Sequence, residues 1–180
     1  MAAEKIPAYL ASGIVSSNSA EAHSLYKKSS FGEPAETKDK IQYTLTEAIY
    51  LIEKGKLEIF SGSGKKPLTK EELLNKLKRI DKKILVKYVV FKDLRERGYI
   101  VKTAFKFGAE FRVYDKGIKP GQKGKHAKWI VFTEQESSKF SWHEFSAKNR
   151  VAHSTNKNLL LAIVDEESDI TYYEIKWIKP

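Results

Sequence analysis

Apolar residues in the first half of the chain recur at helical spacing behind two capping sequences. Thr44-Leu-Thr-Glu47 and Thr69-Lys-Glu-Glu72 each place a hydroxyl residue three positions before a glutamate, a pattern that satisfies free N–H groups at a helix start. We predict one helix from Thr44 to Gly55 and another from Thr69 to about Asp81. Their apolar stripes are Ala48, Ile49, Leu51 and Ile52 in the first helix and Leu73, Leu74, Leu77 and Ile80 in the second.

The other segments of the first half are shorter. Residues 57–60 alternate as a strand and lead into a Gly/Ser turn at residues 61–64. Residues 20–28 are compatible with a short helix. Residues 31–40 carry glycine, proline and charge without periodicity, so we predict a loop there.

The second half alternates helix and strand patterns. Apolar residues at helical spacing from residue 84 to 97, stopped by Gly98, predict a long helix. A third capping sequence, Ser141-Trp-His-Glu144, opens a helix to about His153. β-branched and aromatic residues predict strands at 99–105, 110–114, 128–132, 159–164 and 170–178. Turns are predicted at Gly108, at 117–124 and at the acidic segment 165–169.

The predicted fold class is therefore α+β. A small N-terminal α+β domain, residues 1–82, is followed by an α/β C-terminal domain, residues 83–180, in which helices flank a mixed sheet.

Composition narrows the function. The 33 Lys and Arg against 23 Asp and Glu give a net charge of +10, which favours nucleic acid as a partner over an anionic membrane surface. The absence of cysteine excludes disulfides, thiolate zinc sites and a cysteine nucleophile, and it fits a reducing cytosol. No apolar stretch reaches about 18 residues, and residues 1–14 lack a signal-peptide pattern. We expect a soluble, cytoplasmic protein with no membrane partner.

Chemistry must therefore come from His, Lys, Tyr and carboxylates. His126 follows the basic loop 117–125, and loops held at strand ends often carry catalytic groups. Taken singly, Tyr114 is more simply an ordinary strand aromatic and Lys157 a solvated lysine. His143 is most simply a helix-surface residue. His153, near a helix C-terminus, would interact favourably with the helix dipole when protonated, which is a structural role. His23 has no informative sequence context.

Ordered blocks along the second half carry a resemblance to a known family. They are Gly98-Tyr-Ile-Val-Lys-Thr-Ala-Phe-Lys-Phe-Gly-Ala-Glu-Phe-Arg-Val-Tyr114, Lys125-His126, Arg150-Val-Ala-His-Ser154, Lys157 and Leu159-Leu-Leu-Ala-Ile-Val-Asp165. Together they resemble the C-terminal catalytic domain of the archaeal tRNA-splicing endonuclease (tRNA-intron endonuclease) family, most strongly over residues 88–180. The helix from Thr44 to Gly55 and the strand after it are similar to the family's N-terminal domain.

The resemblance implies a nuclease fold for the C-terminal domain and a metal-independent, cofactor-free endoribonuclease. Its substrate is precursor tRNA with a bulge-helix-bulge at the intron boundaries. Tyr114, His126 and Lys157 match the family's catalytic triad, in the roles of acceptor of the 2′-hydroxyl proton, donor to the 5′-leaving oxygen and stabiliser of the pentacovalent state. The products would carry 2′,3′-cyclic phosphate and 5′-hydroxyl ends. A phenol is a weak base at pH 7, since only about one in 10³ is ionised, so orienting the 2′-hydroxyl is the alternative role for Tyr114.

The resemblance also extends to RNA binding. Arg150 and Trp177 match the pair that grips a bulge nucleotide, because a guanidinium plane and an indole can both stack on an unpaired base. Core packing is the alternative for Trp177. Asn156 and Asn158 stand where the family more often has basic residues, so we expect weaker phosphate affinity there. Ala104 replaces a usual glycine, which we expect to alter the local strand.

One triad per chain and two cuts per substrate imply an oligomer. The resemblance allows a homotetramer or a heterotetramer with a non-catalytic structural subunit. Similar acidic turns in the family insert into a neighbouring subunit, although a solvated hairpin turn is equally compatible; the residues here are Asp165, Glu166, Glu167 and Asp169. The closing strand 170–178 is apolar enough to pair across an interface.

Three rival functions are open from the sequence. The first is a structural RNA-binding subunit without activity, against which the presence of all three triad residue types argues. The second is a metal-dependent nuclease with Asp165, Glu167 or Asp169 as Mg²⁺ ligands, which full activity in EDTA would exclude. The third is a general RNA chaperone, which would bind RNA and yield no cleavage products.

Overall fold

The structure is a computed structural model that describes residues 5–62, 64 and 66–180. Residues 1–4 lie outside the described residues, as does Ser63 in the predicted turn at 61–64. The backbone divides into two compact units between residues 88 and 89. The predicted domain boundary at residues 82 and 83 lies a short distance before that division.

The first unit contains one sheet and three helices. Its strands are β1 (Ile6–Ala11), β2 (Ile14–Ser17), β3 (Glu33–Pro34), β4 (Ile41–Tyr43) and β5 (Leu57–Ser61), and its helices are α1 (Ala20–Ser29), α2 (Leu45–Glu53) and α3 (Lys70–Lys78). The strand order is β3-β4-β2-β1-β5. The neighbours β1 and β5 run parallel, and the other neighbouring pairs run antiparallel.

Both predicted capping boxes of this unit are confirmed. The Thr44 hydroxyl accepts from the Glu47 backbone N–H, and the Glu47 carboxylate accepts in return from the Thr44 N–H. Thr69 and Glu72 make the same reciprocal pair at the start of α3. The short helix predicted at 20–28 is confirmed as α1.

The strands β1, β2 and β4 were not predicted, and two predictions that were made for the first half are wrong. The helix α3 ends at Lys78 rather than near Asp81, and Ile80 is exposed instead of continuing the buried stripe. The segment 31–40, predicted as a loop, contains the two-residue strand β3, which lies at the sheet edge and pairs with β4. Pro34 is tolerated there because an edge strand can lack one N–H donor.

The second unit is built on a mixed five-stranded sheet. Its elements are α4 (Ile84–Glu96), β6 (Ile100–Ala104), a 3-10 turn (Phe105–Phe107), β7 (Ala109–Tyr114), β8 (Trp129–Gln135), α5 (Trp142–Ser154), β9 (Asn158–Val164) and β10 (Ile170–Ile175), with α4 beginning in the first unit. The strand order is β10-β9-β8-β7-β6. Neighbours β8 and β9 run parallel, because α5 returns the chain between them, and the other pairs run antiparallel.

Helices cover both faces of this sheet. Phe91 of α4 packs against Phe111 of β7, with ring centroids 5.9 Å apart. Ala152 of α5 packs instead with Ile130 and Leu159. Residue 111 is paired with 131, so residue 130 points to the opposite side of the sheet. The α+β class and the helix-flanked mixed sheet are thereby confirmed.

The last strand is shorter than predicted. β10 ends at Ile175, not at residue 178, because Ile175 already pairs with Leu159, one residue from the start of β9. Trp177 and Ile178 therefore lie beyond the ladder, and both are exposed. Ala104 is buried where the β6–β7 register shifts, so the strand is irregular at that position.

Candidate active site

Three strand ends meet at one end of the C-terminal sheet. The strand β7 stops at Tyr114, and β8 and β9 begin at Trp129 and Asn158. Because β7 runs antiparallel to β8 and β8 runs parallel to β9, these three termini lie at the same end. We call it the triad end, and the opposite end, which carries the β9–β10 turn, the turn end.

Backbone hydrogen bonds fix the three chain segments side by side at the triad end. The Lys128 N–H donates to the Val113 carbonyl at 2.8 Å, and the Asn158 N–H donates to the Lys128 carbonyl at 3.1 Å. Tyr114 and Lys157 each adjoin one of these bonded residues in sequence, and His126 lies two residues before Lys128. The fold therefore brings the three predicted triad positions to neighbouring chain segments.

Tyr114 is almost completely buried, with 6% of its surface exposed. Its ring lies 6.0 Å from the guanidinium carbon of Arg112, two residues earlier on the same strand. Residues two apart on a strand project from the same face, so the phenol and the guanidinium share one side of the sheet. A buried phenol beside a cation is held in place more firmly than a solvated surface tyrosine.

His126 is exposed at the end of the basic loop. This loop is a succession of tight turns rather than an open coil: the Ile118 N–H donates to Asp115, the Gln122 N–H to Lys119 and the Lys125 N–H to Gln122, at 3.1, 3.3 and 3.0 Å. The hydrogen-bonded turns lead the chain from the end of β7 to the start of β8. They place an accessible imidazole at the triad end.

Lys157 is partly buried between α5 and β9. Its ammonium donates to the Thr155 carbonyl at 2.6 Å and lies 5.6 Å from the Phe107 ring. Burial lowers the pKa of Lys157 below that of an ordinary lysine, and the positive charge of Arg112 lowers this pKa further. The side chain is therefore a partly desolvated cation with a defined position, not a solvated surface lysine.

The two asparagines beside Lys157 have local roles. Asn156 adopts a left-handed conformation with φ 54°, which asparagine tolerates better than lysine or arginine and which turns the chain from α5 into β9. The Asn158 amide donates to the Glu174 carboxylate at 2.5 Å. These contacts give a structural reason for asparagine at both positions.

Arg112 was missed as a site residue from the sequence. It lies beside Tyr114 and is close enough to Lys157 to influence its pKa. Buried Lys102 of β6 is paired directly with it across the ladder. The available signal was the strand alternation itself, which places charged Arg112, two positions before Tyr114, on the same face of β7 as Tyr114.

The predicted RNA-binding pair is exposed at the same end. Trp177 is 51% exposed, so core packing is wrong for this residue, and Arg150 lies on the surface of α5. The ring that stacks on Trp177 is the imidazole of His153, with centroids 5.1 Å apart and an interplanar angle of 22°. His153 lies in the last turn of α5, one helical turn beyond Arg150.

The acidic turn lies at the turn end, away from the triad positions. The Asp165 carboxylate accepts from the Glu167 and Asp169 N–H groups at 3.0 and 2.8 Å, which makes Asp165 part of the turn's own structure.

Within residues 5–62, 64 and 66–180, no three His, Asp or Glu side chains are grouped closely enough to hold a metal ion. In the same described ranges, no helix has the length and apolar character that a membrane crossing requires.

Two family models match the sequence. Residues 84–172 match the model described as tRNA intron endonuclease, catalytic C-terminal domain, and residues 6–74 match tRNA intron endonuclease, N-terminal domain. Tyr114, His126 and Lys157 all fall within the first match, whereas Trp177 lies beyond it.

Similar proteins are found in several archaea. The chain is 44% identical over 155 residues to a tRNA-splicing endonuclease of Thermococcus gammatolerans, covering 86% of this chain and 87% of that protein. It is 44% identical over 155 residues to a tRNA-splicing endonuclease of Nanoarchaeum equitans, covering 83% of this chain and 97% of that protein. It is 43% identical over 159 residues to a tRNA-splicing endonuclease of Methanothermobacter thermautotrophicus, covering 88% of this chain and 89% of that protein.

Proposed function

Because the chain belongs to the tRNA intron endonuclease family, we propose that it is a catalytic subunit that cuts precursor tRNA at bulge-helix-bulge intron boundaries. The observation that carries this proposal is the meeting of the Tyr114, His126 and Lys157 segments at one sheet end, within the match to the family's catalytic domain. We further propose that the reaction needs no metal ion and no cofactor.

The nucleophile in this proposal is the 2′-hydroxyl of the RNA itself. It attacks the adjacent phosphorus, the 5′-oxygen of the next nucleotide leaves, and the products carry a 2′,3′-cyclic phosphate and a 5′-hydroxyl. Tyr114 binds the 2′-hydroxyl and either accepts its proton as a phenolate or orients it by a hydrogen bond, in which case the proton passes to water. Burial and the nearby Arg112 support a fixed position for this phenol.

His126 protonates the leaving 5′-oxygen. Its exposure at the end of the turn-rich loop supports this role, because an exposed imidazole can reach the leaving oxygen of a large folded substrate. An imidazole is well suited to proton transfer near neutral pH, since its ordinary pKa is about 6.5.

Lys157 stabilises the charge that builds up on the pentacovalent phosphorus. One of its three N–H donors is used by the Thr155 carbonyl, so the remaining donors can bind phosphate oxygens. Partial burial supports this role, because an ion pair is stronger where water is partly excluded.

The assembly is proposed to be a tetramer, because one triad per chain must be held at a fixed distance from a second. The turn formed by Asp165, Glu166, Glu167 and Asp169 and the edge strand β10 are its proposed contact surfaces. The proposed tetramer is either a homotetramer or a heterotetramer with a non-catalytic structural subunit. Glu166→Gln combined with Glu167→Gln leaves the Asp165 turn contacts in place and is expected to reduce the mass measured by light scattering; an unchanged mass would contradict an interface role for these two carboxylates.

The proposal is tested by incubating the protein with an end-labelled precursor tRNA containing a bulge-helix-bulge, in EDTA, and analysing both product ends. Paired cuts at the bulges with cyclic-phosphate ends are expected. Cleavage that appears only when Mg²⁺ is restored would identify a metal-dependent nuclease. Binding without any cut, also in the presence of candidate partner subunits, would contradict a catalytic role.

A further inference from the structure

The stack between His153 and Trp177 has no role in the three-residue chemistry described above. The two rings are nearly parallel, 22° from coplanar, with centroids 5.1 Å apart. Trp177 lies two residues beyond the end of β10, so the strand ladder does not position it. His153, by contrast, belongs to the last turn of α5 and has a defined backbone.

One face of the indole therefore rests on a helix-anchored imidazole. Half of the Trp177 surface remains exposed in this arrangement, which leaves room for a second ring on the opposite face. Without the imidazole, an indole on a chain segment beyond the last strand would sample several rotamers, and a ligand would have to fix one of them at an entropic cost.

We propose that His153 is a positioning residue that holds the Trp177 indole for stacking by an unpaired nucleobase. The resulting order is base, indole, imidazole, and His153 itself does not touch the RNA. This inference rests on the proposed function, since it names how that site would receive its RNA. It assigns His153 a role in recognition in place of the helix-dipole role predicted from the sequence.

An unpaired base is the ligand that this geometry fits best. Bases in bulges are unstacked and present a flat π-face, and base–aromatic stacking is tolerant of sequence. Exposed Arg150 lies one helical turn before His153, where its charge can bind the phosphates that flank such a base. The triad positions lie at the same end of the sheet, so a base held on Trp177 belongs to the RNA that reaches them.

The test compares His153→Ala, which removes the stack, with His153→Phe, which keeps a flat ring. His143→Ala is the matched control, because His143 is an exposed histidine in the first turn of the same helix. Binding is measured by fluorescence anisotropy with a labelled RNA hairpin that contains one bulge, in which 2′-deoxynucleotides before the bulge phosphates prevent cleavage. A second hairpin carries abasic sites at the bulge nucleotides.

We expect His153→Ala to weaken binding of the bulged hairpin about 3- to 10-fold, a typical worth of one aromatic pair. His153→Phe should restore binding to within about 2-fold of wild type, and His143→Ala should leave it unchanged. All variants should bind the abasic hairpin equally. In cleavage assays KM should rise by the same factor while kcat changes less than about 2-fold.

An NMR spectrum of the free protein provides a second readout. The Trp177 indole signals, assigned with Trp177→Phe, should lose their ring-current shift in His153→Ala and keep one in His153→Phe. Equal binding of the bulged hairpin by wild type and His153→Ala, or failure of His153→Phe to rescue, would overturn the inference. If the wild type does not cut precursor tRNA but still distinguishes the two hairpins through His153, the proposed function fails and the inference stands.

Discussion

The two ends of the C-terminal sheet differ in charge and in chemistry although the same strands form both. The triad end brings together a buried phenol, an exposed imidazole and a partly buried ammonium, with Arg112 beside them. The turn end carries a run of carboxylates in the β9–β10 turn and the exposed rings of Phe105 and Trp142. A polyanion is attracted to the first end and repelled from the acidic turn of the second.

The connections explain this difference. The helix α5 carries the chain back along the sheet, so the parallel strands β8 and β9 both start at the triad end. Each start is preceded by an irregular segment free to present a functional group, His126 before β8 and Lys157 before β9. The turn end holds the β6–β7 and β9–β10 connections and the segment between β8 and α5.

The largest effect is expected from removing triad groups. His126→Ala and Lys157→Ala should each reduce single-turnover cleavage by about 10²- to 10⁴-fold, the usual contribution of a positioned proton donor or charge stabiliser, with RNA binding largely retained. The matched controls are His143→Ala, in the first turn of α5, and Lys139→Ala, just before that helix; both residues lie at the turn end. Retained cleavage in either triad variant would remove that residue from the mechanism.

A smaller loss is expected for Tyr114→Phe. If the phenol orients the 2′-hydroxyl, losing one hydrogen bond costs about 1 to 3 kcal/mol, or about 5- to 150-fold in rate. Tyr173→Phe, an exposed tyrosine on β10, is the control. A loss as large as that of His126→Ala would instead indicate that Tyr114 acts as a full general base.

A change at the turn end should affect stability and not chemistry. Ser141 caps α5: its hydroxyl accepts from the Glu144 N–H, and its own N–H donates to the Glu144 carboxylate. Ser141→Ala should lower the free energy of unfolding in urea by about 1 kcal/mol without changing the cleavage rate. Ser137→Ala, in the exposed loop before the helix, should change neither the free energy of unfolding nor the cleavage rate. A fall in cleavage rate for Ser141→Ala would contradict the expectation that a change at the turn end affects stability alone.

The smallest effect concerns the charge environment of Lys157. Its pKa is lowered first by burial and second by Arg112, so it loses its proton at a lower pH than an ordinary lysine. Arg112→Met should raise this pKa only in part, because burial remains, and NMR titration of the lysine side chains measures it. Arg97→Met, a change at an exposed arginine of the second unit, should leave it unchanged. A pKa that stays the same or falls in Arg112→Met would contradict the proximity of the two cations.

Local chemistry made part of this fold predictable from the sequence. The starts of α2, α3 and α5 follow from capping boxes at Thr44, Thr69 and Ser141, which depend only on residues a few positions apart. The strands β1 and β2 were missed although the turn Ser12-Gly13 that joins them is a local signal, whereas the pairing of β1 with β5 depends on residues far along the chain. β10 was predicted too long because apolar residues continue past the point where its partner β9 begins.

The candidate site was predictable in its positions and not in its contacts. The motif around Tyr114, His126 and Lys157 identified three residues that the fold places at one sheet end. Two contacts depend on side-chain packing between separate elements: the proximity of Arg112 to Lys157 and the stack of His153 on Trp177. The spacing of residues in the sequence does not predict such packing.

The most direct test of the central claim uses a precursor tRNA with a single 2′-deoxynucleotide immediately before one scissile phosphate, in EDTA. If the RNA's own 2′-hydroxyl is the nucleophile at the triad end, cleavage at the modified site should be abolished while the other bulge is cut at the normal rate. Undiminished cutting at the modified site would contradict the account, because another nucleophile would then be required.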